Sequence, residues 1–140
     1  MSFDELSAVV STLGQPPFRT GQIFSWLQSG VTHWDEMTNI PAVLRAKLAE
    51  GYYIVTANIK KRLESVIDDT VKYLYEMHDG ELVESVLMKY NHGYSLCIST
   101  QVGCRMGCSF CATGLYGLTR NLTASEMLAQ ITAAERDKGI

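Results

Sequence analysis

Thr100-Gln-Val-Gly-Cys104-Arg-Met-Gly-Cys108-Ser-Phe-Cys111-Ala-Thr-Gly114, followed from Gly117 by Leu-Thr-Arg-Asn-Leu-Thr-Ala-Ser-Glu126, is the stretch on which the fold turns. Residues 101 to 121 contain four glycines and three cysteines and read as a long loop. Upstream, Tyr94 to Thr100 has the composition of a strand. Downstream, Thr123-Ala-Ser-Glu126 has the form of a capping box. It opens a helix carrying Met127, Leu128, Ile131 and Ala134, with Gly139 at its end. Strand, cysteine loop and capped helix predict the first βα unit of an α/β fold. A lone βα unit leaves a parallel edge unpaired and one helix face unburied. The sequence is therefore expected to be part of a longer protein.

The cysteines say what the loop is for. Cys97, Cys104, Cys108 and Cys111 fall in one window of 15 residues. A secreted disulfide framework spreads its cysteines to close loops, whereas clustered thiols in a reducing compartment hold metal. Structural zinc takes four ligands, commonly as two pairs from separate turns. Here three thiols lie close together in a Cys-x3-Cys-x2-Cys pattern, and Cys97 sits seven residues upstream within a strand. Three thiolates suit a four-iron cluster, which then keeps one iron free of protein ligands. Gly103 and Gly107 let the backbone wrap closely without β-carbon clashes. Structural zinc and unligated thiols are the competing readings.

Working back along the chain, residues 52–100 predict a meander of three or four strands. Val71 to Met77 and Leu82 to Tyr90 are strand-like runs joined through Asp79-Gly80, a strong hairpin signal. Asn91-His92-Gly93 supplies a second turn, and Tyr52 to Val55 is also β-rich. Residues 1–51 read as short helices instead. Ser2 and Glu5 form a first capping box. Thr20 is placed to cap a second helix with Ile23, Trp26 and Leu27 on one face. Pro41 suits a first turn ahead of Leu44 and Leu48, with Gly51 at the end. Trp26 and Trp34 are expected in the core of that bundle.

Composition bounds the class. Hydrophobic residues make up 46% of the chain and charged residues 19%, a globular balance. No apolar run approaches the roughly 20 residues that span a bilayer. The acidic start lacks the basic region of a secretory signal, so a cytoplasmic protein with no membrane partner is expected. Net charge is −3, which argues against a nucleic-acid grip built on phosphate neutralisation within this stretch. Arg19, Lys60, Lys61, Arg62 and Arg120 are the candidate phosphate contacts, with solvated surface as the plainer reading.

Residues 95–126, with the aromatic Phe110 just before the last cysteine, resemble the radical S-adenosylmethionine (SAM) superfamily. Within it they resemble the RlmN/Cfr-type adenine methyltransferases of 23S ribosomal RNA. Phe18-Arg19-x2-Gln22-Ile23-x2-Trp26-Leu27 and Glu36-Met-Thr-Asn-Ile-Pro41 are similar to that family's small N-terminal helical domain, and Val83-Glu-Ser-Val-Leu87 to its connecting strands. The resemblance implies a helical domain over 1–51, connecting strands over 52–93, and the start of a radical SAM (β/α) barrel over 94–140. It implies a [4Fe-4S] cluster on Cys104, Cys108 and Cys111 that binds SAM. It implies methylation of adenine carbon 2 through a methylated cysteine lying beyond Ile140. Cys97 matches the cysteine that resolves the protein–RNA crosslink by forming a disulfide, and Glu84 matches the base that removes the ring proton. Two-residue alternation puts Glu84 with Val86 and Met88, where an inward carboxylate would have a raised pKa suited to a base. A buried packing role for Cys97 and a surface role for Glu84 are the alternatives. The expected partners are 23S rRNA, with tRNA left open, and an electron donor such as flavodoxin, to a monomeric enzyme. A radical SAM enzyme with another substrate, or a metal module without catalysis, are the rival functions.

Overall fold

Ser2 starts the first helix as its sequence requires. Its hydroxyl accepts the Glu5 N–H at 3.2 Å while the Glu5 carboxylate accepts the Ser2 N–H at 2.6 Å, opening α1 (Phe3–Thr12). The structure, a computed structural model, describes residues 1–140 as two compact units, Met1–Val55 and Thr56–Ile140. The first unit holds α1, α2 (Phe18–Gln28), a single 3-10 turn at Trp34–Glu36, and α3 (Ala42–Gly51). Its core joins Leu6 and Val10 of α1, Ile23 of α2, Met37 and Ile40 of the connector, and Leu44 and Leu48 of α3. Trp26 and Trp34 pack, half-buried, against it.

Two local expectations change here. The second helix begins at Phe18, and Thr20 is buried inside it instead of capping it. Pro16 and Pro17 explain this, because their carbonyls accept the N–H groups of Arg19 and Thr20 and proline has no N–H of its own to satisfy. Tyr52 to Val55 forms no strand. The sheet register begins only at Asn58, and Ile54 packs on the helical core.

The second unit is built on a four-stranded antiparallel sheet in the order β1 (Asn58–Glu64), β2 (Val71–Glu76), β3 (Leu82–Tyr90) and β4 (Gly93–Cys97). Alternation sends Val71, Tyr73 and Tyr75 of β2, with Val83, Ser85 and Leu87 of β3, to one buried face. The last helix, α4 (Ala124–Lys138), reaches that face. Tyr73 donates to Asp137 at 2.8 Å and Tyr75 to the Gln130 carbonyl at 3.2 Å. At its start, Thr123 and Glu126 make the expected capping box, and Gly139 ends it in a left-handed conformation.

The region expected as one strand followed by a plain loop is more structured. β4 stops at Cys97 and not at Thr100, because both backbone polar groups of Ser99 bond to the Gln130 side chain instead of a neighbouring strand. The loop itself contains a two-stranded antiparallel ribbon, β5 (Gln101–Gly103) with β6 (Leu118–Asn121), and a 3-10 turn at Ala112–Tyr116. Every strand pair is antiparallel. The content is α/β, with helices preceding antiparallel strands.

Candidate metal and substrate site

The ribbon is the frame of the cysteine loop. Gly103 sits at φ +73°, and a β-carbon there would overlap the carbonyl oxygen of Gly117. With no side chain in the way, the Cys104 N–H reaches that oxygen at 2.9 Å and pins the two ends of the loop together. Between them, the Cys111 N–H bonds the Cys108 carbonyl at 3.1 Å and the Gly114 N–H bonds the Cys111 carbonyl at 3.2 Å. All four cysteines are free thiols.

The Met106 N–H points at the Cys104 sulfur at 3.5 Å. Backbone N–H groups of Gly114 and then Thr113 hold the Cys111 thiol below its ordinary pKa, against the upward push of desolvation and, last, of the Glu84 carboxylate. N–H donors onto thiolate sulfur are what iron–sulfur sites use to stabilise their ligands. The donor set therefore fits such a cluster in kind. The three sulfurs are not drawn into a single ion-holding group in this conformation. Gly107 adopts a left-handed φ of +64° between the first two cysteines, a conformation that favours glycine.

Cys97 and Glu84 lie beside this loop. Cys97 pairs with Val86 across β3 and β4, on the face of the sheet opposite the core. A cleft of about 260 Å³ opens there, lined among others by Glu84, Val86, Cys97, Ser99, Gln101 and Thr113. The structure thus brings Glu84, Cys97 and the loop residue Thr113 to one cavity. It does not bury Glu84 as an inward position would. Val83, Ser85 and Leu87 take the core, so Glu84 faces out, half exposed, and pairs with Lys72 at 2.8 Å.

Arg120 corrects another expectation. It is not a free surface cation. Its guanidinium forks onto the two Glu126 oxygens at 2.7 and 3.0 Å and also reaches Asp79 at 2.8 Å. Glu126 is buried, and Arg120 followed by the Thr123 cap holds its carboxyl near pKa 2, against the upward push of burial. The link ties β6, the α4 N-terminus and the β2–β3 hairpin into one bracket behind the cysteine loop. The capping box announced Glu126, but nothing local pointed to Arg120 as its partner. Lys60 and Arg62 are likewise engaged, with Glu76 and with Glu64 and Asp137. Met106, inside the cysteine loop, is 75% exposed.

Residues 1–54 match the family described as the ribosomal RNA large subunit methyltransferase N-terminal domain. Over 99% of its length the chain is 51% identical to a probable dual-specificity RNA methyltransferase RlmN of Lachnoclostridium phytofermentans. It is 48% identical, again over 99%, to the protein of the same name in Alkaliphilus oremlandii. Nearly the whole chain aligns with RlmN proteins. It spans about 40% of the length of those curated relatives. Among solved structures, a radical SAM methyltransferase from Sphaerobacter thermophilus matches this chain with a TM-score of 0.90 and 41% identity. That match covers 99% of this chain and 41% of the solved one. No helix is long and apolar enough to cross a membrane.

Proposed function

We propose that this chain is the N-terminal portion of a cytoplasmic radical SAM methyltransferase that modifies carbon 2 of an adenine in 23S rRNA, with tRNA as a second substrate. The observation that carries the proposal is the three-thiol loop, held by the Gly103–Gly117 closure, in a chain that aligns over its length with a radical SAM methyltransferase. In this reading residues 1–51 form an accessory helical domain, 52–93 connect, and 94–140 begin the SAM-binding core. Cys104, Cys108 and Cys111 hold a [4Fe-4S] cluster, and N–H donors from Met106 and from the Gly114 turn support two of the sulfurs. When bound, the cluster supplies the electron that cleaves SAM, delivered by a donor such as flavodoxin.

The remaining chemistry falls to side chains in the cleft. Adenine carbon 2 is electrophilic and has no acidic proton, so direct displacement on SAM's methyl group does not reach it; the methyl passes through a cysteine of the enzyme outside these residues. Glu84 is the acceptor for the ring proton, and its outward position in an open cleft leaves it accessible to the adenine ring. Lys72 keeps the carboxylate in place until it is needed. Cys97, exposed on the same face, is positioned to form the disulfide that releases the RNA.

The test is anaerobic reconstitution with iron and sulfide, comparing wild type with Cys108→Ala and Cys97→Ala. The proposal expects about four irons per chain in wild type and in Cys97→Ala, and loss of the cluster's absorbance and reduced-state paramagnetic signal in Cys108→Ala. Stoichiometric zinc without iron uptake, or equal iron in all three proteins, would overturn it.

A further inference from the structure

A closed circuit of hydrogen bonds runs behind the cleft. The Ser99 hydroxyl donates to the Glu84 carbonyl at 2.7 Å. The Gln130 carboxamide takes the Ser99 N–H on its oxygen at 3.0 Å and gives its own N–H to the Ser99 carbonyl at 2.8 Å. The Gln130 backbone carbonyl accepts the Tyr75 hydroxyl at 3.2 Å, and that hydroxyl accepts from Ser85 at 3.2 Å. Ser85 is the neighbour of Glu84, so the circuit closes. Gln130 and Tyr75 have no exposed surface, and Ser85 has 2%.

The arrangement is specific to a glutamine. A partly buried peptide needs both an acceptor and a donor, and a primary amide of this length presents both side by side. Any apolar residue at this place would remove both protein partners of the Ser99 backbone. The circuit spans three elements, β2, β3 and α4, and the one segment it adds to them is the exit of β4. That exit carries Cys97 two residues before Ser99. Glu84 is held at the other end by its own carbonyl. The two side chains assigned to proton removal and crosslink release are already joined by the Val86–Cys97 pairing of β3 with β4; Ser99 adds a second tie where that ladder ends, and Gln130 anchors Ser99 from within the core.

We propose that Gln130 is a positioning residue of the reaction: through Ser99 it holds the end of the β3–β4 ladder and so keeps Glu84 and Cys97 at a fixed separation across the cleft. This rests on the roles given to those two residues above.

The test uses the holoenzyme with Gln130→Met, which keeps length and volume but can make neither bond, and with the milder Ser99→Ala and Tyr75→Phe. Amide hydrogen exchange at Ser99 should rise at least about 100-fold in Gln130→Met, as a buried hydrogen bond of that order is lost. Iron content and the reduced cluster's spectrum should stay those of wild type, because the β5–β6 ribbon closes independently of Ser99. kcat should fall about 10-fold or more with KM within about twofold, since substrate binding surface is kept while reacting groups are displaced. Ser99→Ala should show a smaller kcat loss in the same direction, which keeps the proposal testable if Gln130→Met fails to fold. Faster exchange at Ser99 with unchanged kcat would overturn it and leave Gln130 a fold residue. Unchanged turnover in Glu84→Gln and Cys97→Ala, by contrast, would refute the underlying assignment of those roles.

Discussion

The Arg120–Glu126 bracket makes the most quantitative prediction. Glu126 is buried, with its side chain 11% exposed, and its carboxyl is held at about 2 instead of 4.5. At about 1.4 kcal/mol per pH unit, that depression corresponds to about 3 kcal/mol of folded-state stability at neutral pH. Glu126→Gln removes the charge but keeps one acceptor, so the expected loss is on the order of 2–3 kcal/mol. For a unit the size of residues 56–140, this is roughly a 10–20 °C fall in melting temperature. The sign with pH is fixed. A carboxylate with a depressed folded pKa contributes fully above its unfolded value and loses that contribution as pH falls through its folded one. The gap between wild type and Glu126→Gln should therefore be constant from pH 7 to about 5, narrow below 4.5, and nearly vanish by about pH 2. The assay is urea denaturation across this range, followed by near-ultraviolet circular dichroism of the stacked Tyr73–Tyr75 pair in the second unit. Trp26 and Trp34 both lie in the first unit, so tryptophan fluorescence gives an internal control whose midpoint should not move. A stability gap that is the same at pH 7 and pH 2.5 would refute the electrostatic account and leave only packing.

Two further perturbations probe the loop and the helical unit. Gly103→Ala must place a β-carbon against the Gly117 carbonyl at a positive φ; it should cost at least about 2 kcal/mol and lower iron uptake on reconstitution, and wild-type loading would show that the closure is not needed. Ile23→Ala, at a fully buried core position, should destabilise the first unit by about 2–5 kcal/mol, read as an earlier tryptophan fluorescence transition; a shift confined to the tyrosine signal would contradict the core assignment.

Sequence by itself determined the elements whose cause is local. The capping boxes at Ser2–Glu5 and Thr123–Glu126, the Asp79-Gly80 turn and the alternation of β2 and β3 each depend on neighbours a few residues apart, and each is found where it was read. The cysteine spacing marked, for the same reason, the loop that β5 and β6 frame. Tertiary structure decided what depends on partners distant in sequence. β4 ends at Cys97 because Gln130, 31 residues on from Ser99, takes the peptide that would have extended the strand. Arg120 is an internal bracket because Asp79, 41 residues away, folds back onto it. Glu84 faces the cleft and not the core because the strand's buried set starts at Val83, a choice of face that alternation alone leaves open and that the cover of α4 resolves. Periodicity tells which residues share a face; only the packed partner tells which face is inside.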